Sequence, residues 1–386
     1  MPDLTGRLVD TGRTVRLRID DAVIAEIAST TSDTDLWLAP GLVDLQVNGY
    51  AGHDVNTDDV DAGVVADLVR SLWAAGVTSV CPTVVTGTEQ RITRALRAVA
   101  EARAADPLVH HAIPRVHVEG PHIADADGPR GAHDIAQLRP PDVAEFRRWQ
   151  QAGAGLVGVV TLAPELPGAV EYIAEISRAG VVAALGHTAA EPSDIAAAVD
   201  AGACLSTHLG NGAHLNLRRH PNYIWEQLAN DRLAASFIAD GHHLPASVLT
   251  VMVRAKGVER SILISDATEL AGMPPGRYET PVGGPVELSA DGRLALAGSP
   301  LLAGAARPLL DCVAWTARHT DIRLRDALRM ATANPARLLG VPGPARGELR
   351  VGAAGDVVVF RADPATGRLD VDTTVVRGVI VHRPDQ

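Results

Sequence analysis

The sequence lacks several residue types and patterns, and each shortage excludes a class of protein. Aromatic residues make up only 3% of the 386 residues, so the core must be built from aliphatic side chains. The three cysteines form no Cys-x-x-Cys pair, which is typical of a reduced protein without a disulfide framework. No apolar run approaches the roughly 20 residues of a membrane span. A basic segment followed by an apolar stretch is also missing, so we expect a cytoplasmic location.

Positive charge is scarce as well. The formal net charge is -11, and no basic tract occurs. Nucleic acids and membrane surfaces are therefore excluded as expected partners. A small anionic substrate is not excluded, because a few local arginines can bind a phosphate group inside an acidic protein.

A Gly-x-Gly-x-x-Gly turn after the first apolar run is absent, which disfavours a doubly wound open sheet, the alternative architecture. Eight short apolar runs alternate with Ala- and Leu-rich helical segments, as in a parallel sheet that is buried on both faces. The pattern predicts an α/β fold, a (β/α)8 TIM barrel. The predicted strands are 42–47, 77–85, 115–119, 158–162, 181–186, 204–208, 234–239 and 262–265.

The two chain ends have a different pattern, in which polar and apolar residues alternate. Such alternation is typical of strands with one solvated face. We predict one small β-sandwich domain made of residues 1–40 and 346–386, with the catalytic barrel at 41–345.

Polar residues end six of the eight predicted barrel strands. In a barrel of this kind, the chemistry lies at the carboxyl ends of the strands. Glu119, His187 and His208 match a metal site that leaves one position open, and Asp266 is a candidate proton carrier. Each residue alone is more often structural; their joint occurrence predicts a metal centre.

One ion per chain is expected, because the features of a two-metal site are missing. The only lysine, Lys256, lies in a helical segment before the eighth strand, where it cannot easily bridge two ions. The first strand carries Gln46-Val47-Asn48 where a His-x-His would supply two ligands, and neutral amides are poor zinc ligands. Two His and one Glu suit Zn²⁺, with Fe²⁺, Mn²⁺ and Co²⁺ as alternatives.

Motifs along almost the whole chain resemble the N-acetylglucosamine-6-phosphate deacetylases of the amidohydrolase superfamily. One of them is the Gln-x-Asn of the first strand. The matching segments are 39–49, 117–121, 161–165, 186–188, 239–241, 265–268, 296–299 and 330–336. The resemblance implies hydrolysis of N-acetylglucosamine 6-phosphate to glucosamine 6-phosphate and acetate.

The resemblance also implies residue roles. Glu119, His187 and His208 bind the metal. Asp266 acts as base toward the attacking water and then as acid toward the departing amine. His133 contacts the substrate and steadies the developing negative charge.

The implied substrate contacts continue in the loops after the sixth and seventh strands. Asn211 and Gly212 lie near the sugar or its phosphate. Arg219 binds the phosphate across the interface of a homodimer, and His243 lies near the same neighbouring active site.

The segment 208–214 departs from the family, because small residues replace an aromatic residue and a methionine. Such changes open space near the sugar or loosen the loop. Two alternatives therefore stay open. One is a deacetylase of a non-phosphorylated or otherwise modified N-acetyl amino sugar, and the other is a non-catalytic barrel that binds a sugar.

Overall fold

The computed structural model describes residues 2–280 and 284–384. Its strands are β1 (Asp3–Leu8), β2 (Thr14–Asp20), β3 (Val23–Ser29), β4 (Leu36–Pro40), β5 (Leu42–Val47), β6 (Gly49–Tyr50), β7 (His53–Asp54), β8 (Val77–Val85), β9 (Val116–Glu119), β10 (Val157–Leu162), β11 (Val182–Leu185), β12 (Leu205–Ser206), β13 (Ala234–Ile238), β14 (Ser261–Ile264), β15 (Gly276–Thr280), β16 (Gly284–Leu288), β17 (Arg293–Leu296), β18 (Leu302–Ala305), β19 (Val357–Ala362), β20 (Leu369–Val376) and β21 (Val379–His382).

The α-helices are α1 (Ala62–Ala74), α2 (Glu89–Ala105), α3 (Pro107–Ala112), α4 (Val143–Ala152), α5 (Ala169–Arg178), α6 (Pro192–Ala201), α7 (Tyr223–Ala229), α8 (Ala246–Lys256), α9 (Leu309–His319), α10 (Leu324–Met330) and α11 (Ala333–Leu339). Within the described ranges, no helix combines the length and apolarity needed to cross a membrane.

The eight predicted barrel strands are confirmed as one parallel sheet. They follow one another in chain order from β5 through β8–β14. A bridge between Val47 and Ala267 closes the ring. The N–H of Asp266 donates to the carbonyl of Gln46 at 3.0 Å, and the N–H of Asn48 donates to that of Ala267 at 2.8 Å. Closure brings the carboxyl ends of all eight strands to one rim.

Burial explains the uninterrupted apolar runs. Every residue of β5 and of β10 is buried, because one face contacts the barrel interior and the other contacts the surrounding helices. Helix α1 shows how a helix covers the outside. Asp61 caps its first turn by accepting from the N–H of Val64, and the buried residues Val65, Leu68, Val69 and Leu72 recur at helical spacing.

The predicted small β-domain from both chain ends is also confirmed. Its strands form a seven-stranded sheet in the order β21-β20-β19-β4-β1-β2-β3, in which only the β1–β4 pair is parallel. Leu17, Ile24, Leu38 and Val357 belong to a core of its own. The boundaries at 40/41 and 345/346 stay predictions. Residues 1, 281–283 and 385–386 of the predicted ranges lie outside the described residues.

One strand-like run is in fact a hairpin. The alternation over 374–381 indicates a single strand, but β20 ends at Val376 and β21 begins at Val379. Arg377 and Gly378 have φ angles of 51° and 75°, so the two-residue turn needs left-handed backbone at both positions. Arginine is not a turn signal, which explains why the pattern concealed the turn.

A second sheet, β15–β18, was not predicted. These four antiparallel strands lie between the eighth barrel strand and α9. The N–H of Thr268 donates to the carbonyl of Ala305 at 3.0 Å, which ties the end of β18 to the segment after Asp266. The residues of β15 alternate between exposed and half-buried, so the sequence carries no buried apolar run there.

Lys256 is fully buried at the end of α8. Its Nζ donates to the carbonyl oxygens of Asn230 at 2.7 Å and Leu233 at 2.8 Å. Burial, helped by the charge of Arg260, lowers the pKa of Lys256 to about 8. The side chain thus stabilises the segment that connects α7 to β13.

Replacing Lys256 with Met should lower the free energy of unfolding by about 1–3 kcal/mol, because two buried carbonyls lose their donor. Chemical denaturation of the wild type and the variant measures the difference. The metal content should stay at one ion per chain in both proteins, since Nζ contacts no proposed ligand. Loss of metal from the variant would contradict the separation of the lysine from the metal centre.

Candidate metal centre and active site

Three predicted ligands come together at the carboxyl ends of three barrel strands. Glu119 ends β9, His187 follows β11, and His208 follows β12. Oε1 of Glu119 lies 2.8 Å from Nε2 of His208 and 3.4 Å from Nε2 of His187. The two imidazole Nε2 atoms are 3.2 Å apart. All three side chains are buried.

This arrangement fits a divalent metal ion. Ligand atoms about 2.0–2.1 Å from a tetrahedral zinc are separated from one another by about 3.3 Å, close to the observed spacing. Nδ1 of His187 donates to the carbonyl of Pro129 at 2.7 Å, which leaves its Nε2 lone pair free to bind a cation. Two neighbouring imidazole nitrogens and a carboxylate oxygen form the donor set that such an ion prefers.

The electrostatics keep the carboxylate charged. Burial alone raises the pKa of Glu119, but the neighbouring imidazoles of His187 and His208 outweigh it and hold the pKa well below its usual range. For His208, burial acts to lower the pKa, and the hydrogen bond to Glu119 reverses the direction. A negative Glu119 is the form that binds a cation.

The first-strand amides hold the two acidic residues in place. Nε2 of Gln46 donates to Oε1 of Glu119 at 2.9 Å, and Nδ2 of Asn48 donates to Oδ1 of Asp266 at 2.9 Å. Sequence reasoning predicted only that this strand lacks metal ligands, and it missed this positive role. Residues two apart on a strand point to the same side, and that spacing was the available signal.

Asp266 lies beside the triad and has an unusual acidity. Burial, reinforced by the negative charge of Glu119, raises its pKa to about 6. A carboxyl group with such a pKa can accept and release a proton near neutral pH. His208 and the hydrogen bond from Asn48 act in the opposite direction on the pKa of Asp266.

His133 contacts the same centre from the loop after β9. Its Nε2 is 3.9 Å from Oε2 of Glu119, and its ring centroid is 4.5 Å from that of His187. Glu119, His133 and His187 offer ligand atoms that all lie within 4.8 Å of one another. Nδ1 of His133 is 2.7 Å from the hydroxyl of Thr86, a partner that the sequence did not reveal. Burial lowers the pKa of His133 to about 3, so the ring is neutral.

The backbone is strained at three of the four central residues. His187, His208 and Asp266 have φ angles of 52°, 28° and 50°, in the left-handed region that non-glycine residues rarely adopt. Such a conformation costs on the order of 1–3 kcal/mol per residue and persists only where the surroundings enforce it. The left-handed backbone at these residues directs their side chains from the strand ends toward the metal centre.

The remaining predicted site residues lie at different distances from this point. Gly212 packs on the ring of His187, where an added Cβ would lie 2.8 Å from Nδ1. The N–H of Asn211 donates to the carbonyl of His208 at 2.8 Å. Nδ1 of His243 is 2.7 Å from Oδ2 of Asp240. Arg219, in contrast, is exposed on the loop between β12 and α7.

Asp44 is a further buried acid on the first barrel strand. Its Oδ1 accepts from the N–H groups of Ser265 at 3.2 Å and Gln46 at 3.4 Å. Its Oδ2 has no hydrogen-bond partner among the described residues. Burial raises the pKa of Asp44 to about 7.

Comparisons with known proteins match this architecture. Residues 37–381 match the amidohydrolase family. The N-acetylglucosamine-6-phosphate deacetylase of Bacillus subtilis (strain 168) is 30% identical over 90% of this chain and 85% of its own length. The N-acetylgalactosamine-6-phosphate deacetylase of Escherichia coli O157:H7 is 35% identical over 89% and 90%. A solved N-acetyl-D-glucosamine-6-phosphate deacetylase variant from Mycobacterium smegmatis, in complex with N-acetyl-D-glucosamine-6-phosphate, gives a TM-score of 0.82 at 31% identity, covering 96% of this chain and 95% of that one.

The raised pKa of Asp44 predicts a pH-dependent stability. The folded protein keeps this proton up to about pH 7, whereas the unfolded chain releases it near its ordinary pKa of about 4. Stability therefore falls as the pH rises from about 4 to 7, by up to about 4 kcal/mol. The Asp44→Asn variant does not have this loss, because its amide does not titrate. The unfolding free energy of the variant minus that of the wild type should therefore increase from about pH 4 to 7 and stay constant above that range. Denaturation at several pH values measures the difference, and a constant difference would contradict the assignment.

Proposed function

The chain belongs to the N-acetylglucosamine-6-phosphate deacetylase family of amidohydrolases, and on that premise we propose that it hydrolyses the acetamide of an N-acetylhexosamine 6-phosphate. For N-acetylglucosamine 6-phosphate, the products are glucosamine 6-phosphate and acetate. The observation that carries the proposal is the convergence of Glu119, His187 and His208 beside a carboxyl group of raised pKa, Asp266.

Glu119, His187 and His208 would hold one divalent ion, which we propose to be Zn²⁺. When bound, the ion supplies Lewis-acid polarisation of the acetyl carbonyl and activation of water. The chain's own contribution to that binding is a charged Glu119 and a His187 whose Nδ1–H is directed away from the centre by Pro129.

Asp266 moves the proton. Its carboxylate removes a proton from water as the oxygen adds to the carbonyl carbon, and Asn48 keeps the carboxylate oriented. The protonated carboxyl group then gives the proton to the amine nitrogen as the carbon–nitrogen bond breaks. The raised pKa suits both halves of this cycle near neutral pH.

His133 would donate a hydrogen bond to the developing oxyanion. Because its pKa is lowered to about 3, the ring is neutral and contributes a directed N–H instead of a full charge. The hydroxyl of Thr86, 2.7 Å from Nδ1, fixes the orientation of the ring.

The substrate phosphate is assigned to Arg219, and His243 is assigned to the same neighbouring active site. Asn211 and Gly212 are assigned to the sugar or its phosphate. Arg219 reaches this position across a homodimer interface. Exposed apolar residues nearby support an interface there, since Leu215 of the same loop is 92% exposed and Trp225 at the start of α7 is 50% exposed. The cytoplasm remains the proposed location.

A second candidate keeps the chemistry and changes the sugar. Gly210 and Gly212 flank Asn211, so this loop lacks the large side chains that the family places here. Both glycines have a positive φ, 98° and 54°. A relative at 35% identity is named for N-acetylgalactosamine 6-phosphate. A screen of N-acetyl amino sugars, with and without the 6-phosphate, separates the candidates by acetate release.

Replacing Asp266 with Asn should lower kcat by about 10²- to 10⁴-fold on the best substrate of that screen, because the variant cannot carry the proton. Acetate release and metal content are measured on the same preparations. An unchanged metal content would show that the loss is catalytic. Full hydrolysis by Asp266→Asn would remove Asp266 as the general base, and no acetate release by the wild type from any substrate would leave the sugar-binding alternative.

Replacing Arg219 with Ala should raise KM for a phosphorylated substrate by about 10- to 100-fold, with a smaller change in kcat, because one charged hydrogen-bond partner is lost. Arg218→Ala is the matched control, since it removes an equal charge from the neighbouring exposed position. Steady-state kinetics of both variants measure the effect. Equal KM values for Arg219→Ala and the wild type on every phosphorylated sugar would exclude the phosphate role.

A further inference from the structure

The fourth barrel strand, β10, supplies no side chain to the proposed ligand triad, yet the segment after it carries a half-buried carboxylate, that of Glu165. Oε2 of Glu165 accepts from the hydroxyl of Thr188 at 2.5 Å, and Oε1 accepts from the N–H of Ala189 at 2.6 Å. Both donors immediately follow His187 in the chain. Glu165 thus binds the two residues next to a proposed metal ligand from a neighbouring strand.

The backbone of His187 needs support of this kind. Its φ of 52° is a conformation that a histidine leaves readily unless its neighbours are held. Two hydrogen bonds hold His187 itself. Its carbonyl accepts from the N–H of Ala124 at 2.9 Å, and its Nδ1 donates to the carbonyl of Pro129 at 2.7 Å. After His187 in the chain, the carboxylate of Glu165 holds the hydroxyl of Thr188 and the N–H of Ala189.

The direction of these hydrogen bonds requires a carboxylate. The Thr188 hydroxyl already accepts from the N–H of Ala190 at 3.0 Å, so its own proton points to Glu165. The N–H of Ala189 also needs an acceptor. A carboxylate offers two acceptor oxygens to two donors, whereas an amide offers only one. Charged acceptors also make the shorter and stronger bonds.

We propose that Glu165 is a positioning residue for the metal centre, which sets metal affinity by holding Nε2 of His187 at its place beside Glu119 and His208. The proposal rests on the proposed function only in taking these three side chains as ligands. Removing Glu165 leaves the buried Thr188 hydroxyl and Ala189 N–H without their acceptor and lets the strained turn relax.

Glu165→Ala and Glu165→Gln, compared with Asp363→Ala, test this assignment. Asp363 is the matched control, because it accepts from the N–H of Ala365 at 2.8 Å and the hydroxyl of Thr366 at 2.6 Å in a turn of the small β-domain. Zinc dissociation constants are measured by chelator competition, and metal content after dialysis is measured alongside. Kinetics at saturating zinc give kcat and KM separately.

The expected result is a zinc affinity 10- to 100-fold weaker for Glu165→Ala, as for the loss of other partners that orient a ligand. Glu165→Gln should recover part of the affinity, since it keeps one acceptor, and Asp363→Ala should match the wild type. A merely structural loss would lower the midpoint of thermal unfolding in the control as well, without moving the zinc constant.

Zinc affinities of both Glu165 variants within twofold of the wild type would overturn the proposal. If Glu165→Ala does not fold, Glu165→Gln decides alone: wild-type affinity overturns the proposal, and weakened affinity supports it. A wild type that binds zinc tightly but hydrolyses no N-acetylhexosamine 6-phosphate would refute the proposed function while leaving the zinc comparison valid.

Discussion

Closure of the barrel is the constraint on which the rest of the site depends. Backbone hydrogen bonds between Gln46 and Asp266, and between Asn48 and Ala267, join the first strand to the segment after the eighth. Strand ends that are far apart in the chain then form one ring. The two first-strand amides lie at the seam of this ring, where they reach Glu119 and Asp266. The position of the acid–base group relative to the triad is therefore a property of the closed ring and of no single segment.

A layer of neutral polar groups supports the centre from inside the barrel. Nε2 of His117 is 2.7 Å from the hydroxyl of Thr161, which is 2.7 Å from that of Thr207. Burial lowers the pKa of His117 to about 4, so this residue contributes hydrogen bonds without adding positive charge beneath the ligands. These hydrogen bonds hold the supporting side chains in place, which favours a preorganised site.

The sequence predicted those parts of the protein that follow from local pattern. Eight buried strands leave uninterrupted apolar runs, and the residues that end them identify Glu119, His187, His208 and Asp266 as one set. Contacts that depend on tertiary structure left no such trace. The carbonyl of Pro129 contributes through its backbone, and Thr86 resembles any other threonine at a strand end. The strand β15 has no buried residue, and the buried residues of β16–β18 are few and scattered, so this segment left no apolar run like those of the barrel. Arg219 remains a prediction, since its partner is assigned to another subunit.

The buried position of Lys256 has a consequence for chemistry at the protein surface. It is the only lysine of the chain, and its amine is occupied by two carbonyl oxygens in the interior. Reagents directed at side-chain amines, such as activated esters used for fluorescent labelling or for coupling to a support, therefore meet no lysine at the surface of the folded molecule. Acetylation of lysine side chains is closed to the native fold for the same reason. The positive charge that solvent meets is carried by arginine, whose guanidinium groups keep their protons under all ordinary conditions.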